Sequence, residues 1–138
     1  MRAKLQRVTS LACLIALMLI VAAPAQSTVL KGDLFVEVMN GNTLSGFTLK
    51  GVPFNLYFLP GGSATYDEKG GISDTGRWRM SKAGRVCVKW RKWQQGREHC
   101  YVVRLKGRTI RWTGAGGSGS GLLRGFIASS YLRKRRQS

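Results

Sequence analysis

The chain has 138 residues, with 23 Lys plus Arg against 6 Asp plus Glu, one His, three Cys and a formal charge of +17, a length that permits one small domain. A hydrophobic content of 43% with 18 Gly and no Gly-X-Y period excludes a disordered or collagen-like chain. Six carboxylates and His99 alone leave little from which to build acid/base or metal chemistry.

Arg2, Lys4 and Arg7 precede an apolar run from Leu11 to Ala23, which ends in Ala23-Pro24-Ala25. This charged, apolar, small-residue order matches a secretory signal over residues 1–25, cleaved after Ala25. The run falls short of the roughly 20 residues a membrane-crossing helix needs, and Ser10-Leu11-Ala12 before Cys13 fits a lipidation signal poorly. Cleavage removes three of the 23 bases and none of the six acids, so 113 residues retain a charge of +14. The expectation is a periplasmic or secreted protein with no transmembrane span in its mature chain.

Leu30, Leu34, Phe35 and Val38 cluster at helical spacing and Asn40-Gly41 supplies a stop, which predicts a short helix from Leu30 to Met39. From Thr43 to Trp112, short runs rich in Val, Ile, Phe, Tyr and Trp are separated by Pro60-Gly61-Gly62, Lys69-Gly70-Gly71, Lys82-Ala83-Gly84 and Lys106-Gly107. Turn chemistry at this spacing predicts an all-β fold, a small antiparallel meander that is barrel-like or a sandwich. The compact β-domain is expected over residues 26–113.

Two cysteines remain after cleavage, and an even count in an oxidising compartment reads as one disulfide, Cys87 to Cys100. A zinc site is disfavoured, because no CxxC or Cys/His cluster accompanies them and two thiolates are half of a tetrahedral set. With the cysteines opposed, Val86 pairs with Tyr101, Val88 with His99, Lys89 with Glu98 and Trp90 with Arg97, leaving Arg91 to Gly96 as a loop. Lys89 and Glu98 are then an opposite-charge cross-strand pair. A three-residue Lys82-Ala83-Gly84 loop places Met80 by Val86 and Trp78 by Val88. A two-residue turn at Lys106-Gly107 places Val103 opposite Ile110 and Tyr101 opposite Trp112. The inner set is then Trp78, Met80, Val86, Val88, Trp90, Tyr101, Val103, Ile110 and Trp112, joined by Leu56, Phe58 and Tyr66.

Period-2 alternation sends Arg77, Arg79, Arg85, Lys89, Arg104 and Arg111 outward, with Glu98 the one carboxylate among them. Beside this face the loop from Arg91 to Arg97 offers Trp93 among bases, and the chain ends in Arg133-Lys134-Arg135-Arg136. Long polar side chains outside a sheet serve solubility and discourage edge pairing, which accounts for charge but not for its sign. Stacking together with positive charge is how polyanions and single strands are held.

Gly114, Gly116 and Gly119 satisfy GxGxxG formally, but the chain ends before the helix and acidic residue that a dinucleotide site needs. Residues 114–121 therefore read as a flexible Gly/Ser-rich connection and 122–138 as a last strand or tail with a basic end. His99 falls on the inner face beside Val88, where a core histidine is commoner than a catalyst. No nucleophile-elbow pattern marks any serine. Nothing in the sequence asks for a cofactor or a metal, and the chain reads as a non-enzymatic protein.

The segments Asn40-Gly41-Asn42-Thr43-Leu44-Ser45-Gly46, Tyr57-Phe58 with Pro60-Gly61-Gly62, Asp74-Thr75-Gly76-Arg77-Trp78, Val86-Cys87-Val88 and Cys100-Tyr101 mark a stretch from about Leu30 to Trp112. In these the chain resembles a group of small exported proteobacterial proteins of unknown function. The resemblance implies an envelope location and a compact β-fold with a cystine; it brings no activity and no site residues. The basic face and tail are not general features of that group. Small periplasmic protease-inhibitor barrels also share a short meander and one cystine, without a diagnostic inhibitory motif here.

The leading expectation is an exported, strongly basic β-domain that binds an anionic envelope or extracellular polymer: lipopolysaccharide, acidic polysaccharide or anionic lipid head groups. Net charge speaks to such non-specific contacts. Nucleic acid is disfavoured as a physiological partner of an exported chain, although salt-sensitive binding is expected in vitro. The alternative is a protein-interaction or hydrolase-inhibitor module, whose loops at one end of the barrel meet an acidic protein partner.

Overall fold

The computed structural model describes residues 24–125. All but the last two residues of the expected leader, and the basic segment Arg133 to Arg136, lie outside the described residues. In chain order the elements are β1 (Thr28–Val29), α1 (Gly32–Met39), β2 (Thr43–Phe47), β3 (Pro53–Leu59), β4 (Ser63–Glu68), β5 (Ser73–Met80), β6 (Val86–Trp90), β7 (Glu98–Lys106), β8 (Thr109–Gly114) and β9 (Gly117–Arg124). A single 3-10 turn, Trp93–Gly96, lies between β6 and β7.

From β2 to β9 each strand pairs antiparallel with the next, and β9 returns to pair with β2 through Leu44↔Leu123. The sheet is therefore a closed eight-stranded barrel and not a sandwich. Beyond Tyr101 the ladder from β6 to β7 ends, and β1 takes its place through Thr28↔Leu105 and Val29↔Arg104. Closure leaves β2 to β9 without a free edge to template aggregation.

The helix forms where the helical spacing places it. Leu30, Phe35, Val38 and Met39 are buried, and α1 lies across the barrel end where β2 begins. Asn40 N–H donates to the Val36 carbonyl at 2.8 Å, and Gly41 at φ 70° carries the chain out of the helix. Phe35 meets Phe58 edge-on with centroids 5.1 Å apart and Trp78 at 5.3 Å, so the helix plugs this end with aromatic rings. No helix among the described residues is long and apolar enough to cross a membrane.

The expected register around the cystine is observed: Val86↔Tyr101, Cys87↔Cys100, Val88↔His99 and Lys89↔Glu98, with Trp78↔Val88 and Met80↔Val86 on the other side. Cys87 and Cys100 are joined as a disulfide with their Cα atoms 3.9 Å apart. Gly84 closes the three-residue loop at φ 74°. The expected inner residues all fall in the core or pack against it.

Two expectations require correction. The turn between β7 and β8 is Gly107-Arg108, so Val103 faces Trp112 and Leu105 faces Ile110. Arg108 is drawn into the turn because its guanidinium donates to the Leu123 carbonyl at 2.9 Å and the Gly125 carbonyl at 2.6 Å. A two-residue shift preserves parity, so inside and outside are unchanged. Residues 114–121 are not a flexible connection: they end β8 and supply most of β9, and the domain extends through Arg124. The expected cross-strand pair of Lys89 with Glu98 is present in the register, and Arg79 additionally holds the Glu98 carboxylate, with Arg79 Nε donating at 3.0 Å and Nη2 at 2.5 Å.

Candidate functional site

An eight-stranded barrel is just wide enough for side chains to fill it or for one small ligand to fit. Here the filling is uneven. Three of the four inward positions of β9 are glycine, Gly117, Gly119 and Gly121, opposite Gly114, Trp112 and Ile110 of β8; the fourth is buried Leu123. A Cβ at Gly119 would sit 2.4 Å from Trp112 Cζ2, so the indole lies against bare backbone. A cavity of about 490 Å³ remains inside the barrel, bordered on the β9 wall by Gly117 and Gly119. It reaches from Phe35 and Met39 of α1 to Leu49, Lys50 and Ile72 at the opposite, open end. Both its volume and its mostly apolar, aromatic wall are those of small-molecule sites, which span roughly 300–1,000 Å³.

Aromatic rings line the half nearest the mouth. Tyr66 stacks on Phe54 at 5.5 Å and on Trp93 at 4.5 Å, and Trp90 approaches both Tyr66 and Trp93 at 6.0 and 5.6 Å. Polar atoms are few. Tyr66 Oη donates to Glu68 Oε1 at 2.6 Å. Burial, and then the Glu68 carboxylate that accepts this bond, push the Tyr66 phenol well above its ordinary value. Across the mouth, Gln94 Nε2 donates to Tyr101 Oη at 3.0 Å and to the Gly116 carbonyl at 3.1 Å.

The segment that carries Trp93 and Gln94 is strained. Gln94 and Gln95 take left-handed backbone conformations, φ 53° and 59°, followed by Gly96 at 65°. Left-handed non-glycine residues cost on the order of 1–3 kcal/mol each, and persist only where their surroundings over-determine them. Buried Asp74 does much of this. Its Oδ2 accepts the backbone N–H groups of Lys92 at 2.9 Å and Trp93 at 2.8 Å, and its Oδ1 that of Thr75 at 2.8 Å. Burial raises the Asp74 carboxyl, but the three N–H donors outweigh it and hold the group below its usual range. The other carboxyl held below its usual range is Glu98, lowered first by the hydrogen bond from Arg79.

The basic residues expected outside are outside: Arg77, Arg79, Arg85, Lys89, Arg104 and Arg111 are all exposed. They share the β5 to β8 side of the barrel, with Arg77 opposite Lys89 and Arg104 opposite Arg111. Arg77, Lys89 and Arg91 border a shallow outer groove together with Ser63, Thr65 and Thr75. Arg79 is engaged by Glu98, and Trp93 is not on this face at all: its ring is turned into the barrel mouth. The expected grouping of Trp93 with the outer arginines is therefore corrected. Glu98 also lies beside Cys87 and Cys100, but the two sulfurs are bonded to each other and present no thiolate pair.

Sequence reasoning passed over Asp74, Gln94, Glu68 and the β9 glycines as parts of a site. Two signals were present. Asp74 occupies an inward position in the β5 alternation, and Gly117, Gly119 and Gly121 recur at period 2 between serines. No protein-family model, no curated protein and no solved structure matches the chain.

Proposed function

We propose that the protein is a non-enzymatic binding protein whose barrel holds one small, neutral, largely apolar molecule carrying a hydroxyl or amide end. The observation that carries this reading is the aromatic-walled cavity of about 490 Å³, open opposite the helix. The apolar body would replace water against Phe54, Trp90 and Trp112, with burial worth roughly 25 cal/mol per Å² before the cost of immobilising the ligand. At the mouth, the Glu68 carboxylate disfavours an anionic group and favours a donor; Gln94 and Tyr101 offer further hydrogen-bonding atoms.

Titration with the lipophilic amine N-phenyl-1-naphthylamine tests this. One molecule should bind per chain, with enhanced fluorescence, and hexadecanol should displace it. Leu56 borders the cavity and is only half-buried, so Leu56→Trp should fill the space and weaken uptake at least tenfold while the thermal transition is retained. Absence of uptake by the folded protein, or equal uptake by the filled variant, overturns the reading.

A second reading concerns the outer wall. The groove bordered by Arg77, Lys89 and Arg91 supports binding of an anionic polymer, such as lipopolysaccharide or an acidic polysaccharide, by charge and hydroxyl donors. Retention on heparin should fall steeply with salt, and Arg77→Glu with Lys89→Glu should lower the eluting salt concentration without lowering the melting temperature. Both readings place the protein in the periplasm or outside the cell after cleavage near Ala25. Intact-mass measurement of exported material should then find a chain starting at Gln26, two hydrogens lighter than the reduced form.

A further inference from the structure

Two hairpin tips at the open end of the barrel hold apolar side chains out in solvent. Phe47 is 71% exposed, Leu49 107% and Ile72 44%; all three border the cavity. Their turns are ordered. Thr48 N–H donates to the Val52 carbonyl at 2.9 Å, Gly51 N–H to the Thr48 carbonyl at 2.9 Å, and Val52 N–H to Thr48 Oγ1 at 3.1 Å. On the neighbouring tip Glu68 N–H donates to the Ile72 carbonyl at 2.8 Å. Leu49 and Ile72 are thus displayed by built turns, next to Lys50 and Lys69. Exposed apolar groups that cluster in this way mark an interaction surface.

Charge identifies the occupant. The loops at this end carry Lys50, Lys69, Arg91, Lys92 and Arg97. Of the six carboxylates in the chain, Asp33 and Glu37 belong to α1 at the opposite end. Asp74 is buried under backbone N–H groups, Glu68 is bonded to Tyr66 and Glu98 to Arg79. Asp67 remains facing solvent. An apolar tip ringed by cations matches an anionic lipid surface, where side chains enter the acyl boundary and lysines meet head groups.

We infer that the barrel docks mouth-first on anionic lipid bilayers, with Phe47, Leu49 and Ile72 entering the interface and Lys50 and Lys69 contacting head groups. This rests on the proposed apolar cargo, because docking in this pose opens the cavity directly onto the hydrocarbon from which such a molecule would be drawn.

The test uses vesicles of phosphatidylcholine with 30% phosphatidylglycerol, compared with phosphatidylcholine alone. Co-sedimentation should favour the anionic vesicles at least thirtyfold, and Leu49→Asp with Ile72→Asp should lower that binding at least tenfold. A Leu49→Trp variant should show blue-shifted emission quenched by lipids brominated in the acyl chain. A Lys69→Glu variant, at a residue that does not border the cavity, should also lower binding to the anionic vesicles while naphthylamine uptake in the absence of lipid stays unchanged, which separates this inference from the cavity itself. Vesicle binding that survives the double substitution would assign the contact to the outer basic wall and overturn the inference. So would no binding to either vesicle, or a protein dimer abolished by Leu49→Asp.

Discussion

The Trp93 indole lies on the Tyr66 ring with centroids 4.5 Å and planes 21° apart. A loop residue thereby becomes part of the barrel wall, and the loop from Arg91 to Arg97 becomes a shoulder of the mouth. Stacked aromatic pairs contribute about 0.5–1.5 kcal/mol beyond their burial. Trp93→Ala should lower stability by about 1–2 kcal/mol in urea titrations and speed release of a bound naphthylamine. Trp93→Phe should restore most of both.

Neighbouring glutamines should respond in opposite directions to the same substitution. Gln95 is exposed and left-handed at φ 59°, so Gln95→Gly removes backbone strain and should raise stability by about 0.5–1 kcal/mol. At Gln94 the gain is offset by loss of the side-chain bonds to Tyr101 and Gly116. Gln94→Gly should be neutral or destabilising and should loosen ligand retention. Thermal melts of the two variants, measured side by side, check this.

Asp74 makes stability depend on acid. Its carboxyl titrates lower in the folded protein than in the unfolded chain, where the value is about 3.9. The native state therefore binds fewer protons in that window. The contribution is present above about pH 4 and is lost as pH falls through the folded value. Asp74→Asn should flatten the fall in unfolding free energy as the pH drops below about 4. Asp74→Ala, which leaves three backbone donors without their acceptor, should cost about 3 kcal/mol at pH 7.

Cys87 and Cys100 are separated by 13 positions, and closing so short a loop contributes on the order of 3 kcal/mol in the chain-entropy model. Cys87→Ala with Cys100→Ala should lose about that amount by denaturant unfolding and keep the barrel's far-ultraviolet spectrum.

Glycine at position 119 should prove irreplaceable by larger residues. Gly119→Val must displace the Trp112 ring, since even a Cβ there meets it at 2.4 Å, and overpacking of this kind costs about 1–3 kcal/mol. A changed near-ultraviolet tryptophan spectrum should accompany the loss.

Much of the wall was legible before any coordinates. Alternation from Trp78 to Trp112 separates indoles and aliphatics from arginines because a strand has only two faces, so a register built on Cys87 and Cys100 orients every neighbour. Even the misplaced β7 to β8 turn left this sorting intact, since the error was two residues and the period is two. The helix was legible for the analogous reason at period 3.6.

The strand that closes the barrel and the site inside it were not legible. Gly117 to Gly121 is poor in side chains, so hydrophobic periodicity has nothing to report and composition reads as linker. It becomes a strand because β8 and β2 offer backbone partners on both sides. Trp93 followed the same logic: basic neighbours in the sequence suggested an outer surface, whereas the Asp74 hydrogen bonds and the left-handed glutamines turn the ring inward. Sequence alone determined which residues face which way along the ribbons from Trp78 to Trp112, for that is a property of local backbone geometry. The tertiary structure alone decided that the ribbon closes and leaves an interior, because closure depends on pairing between β2 and β9, which lie at opposite ends of the sheet in sequence.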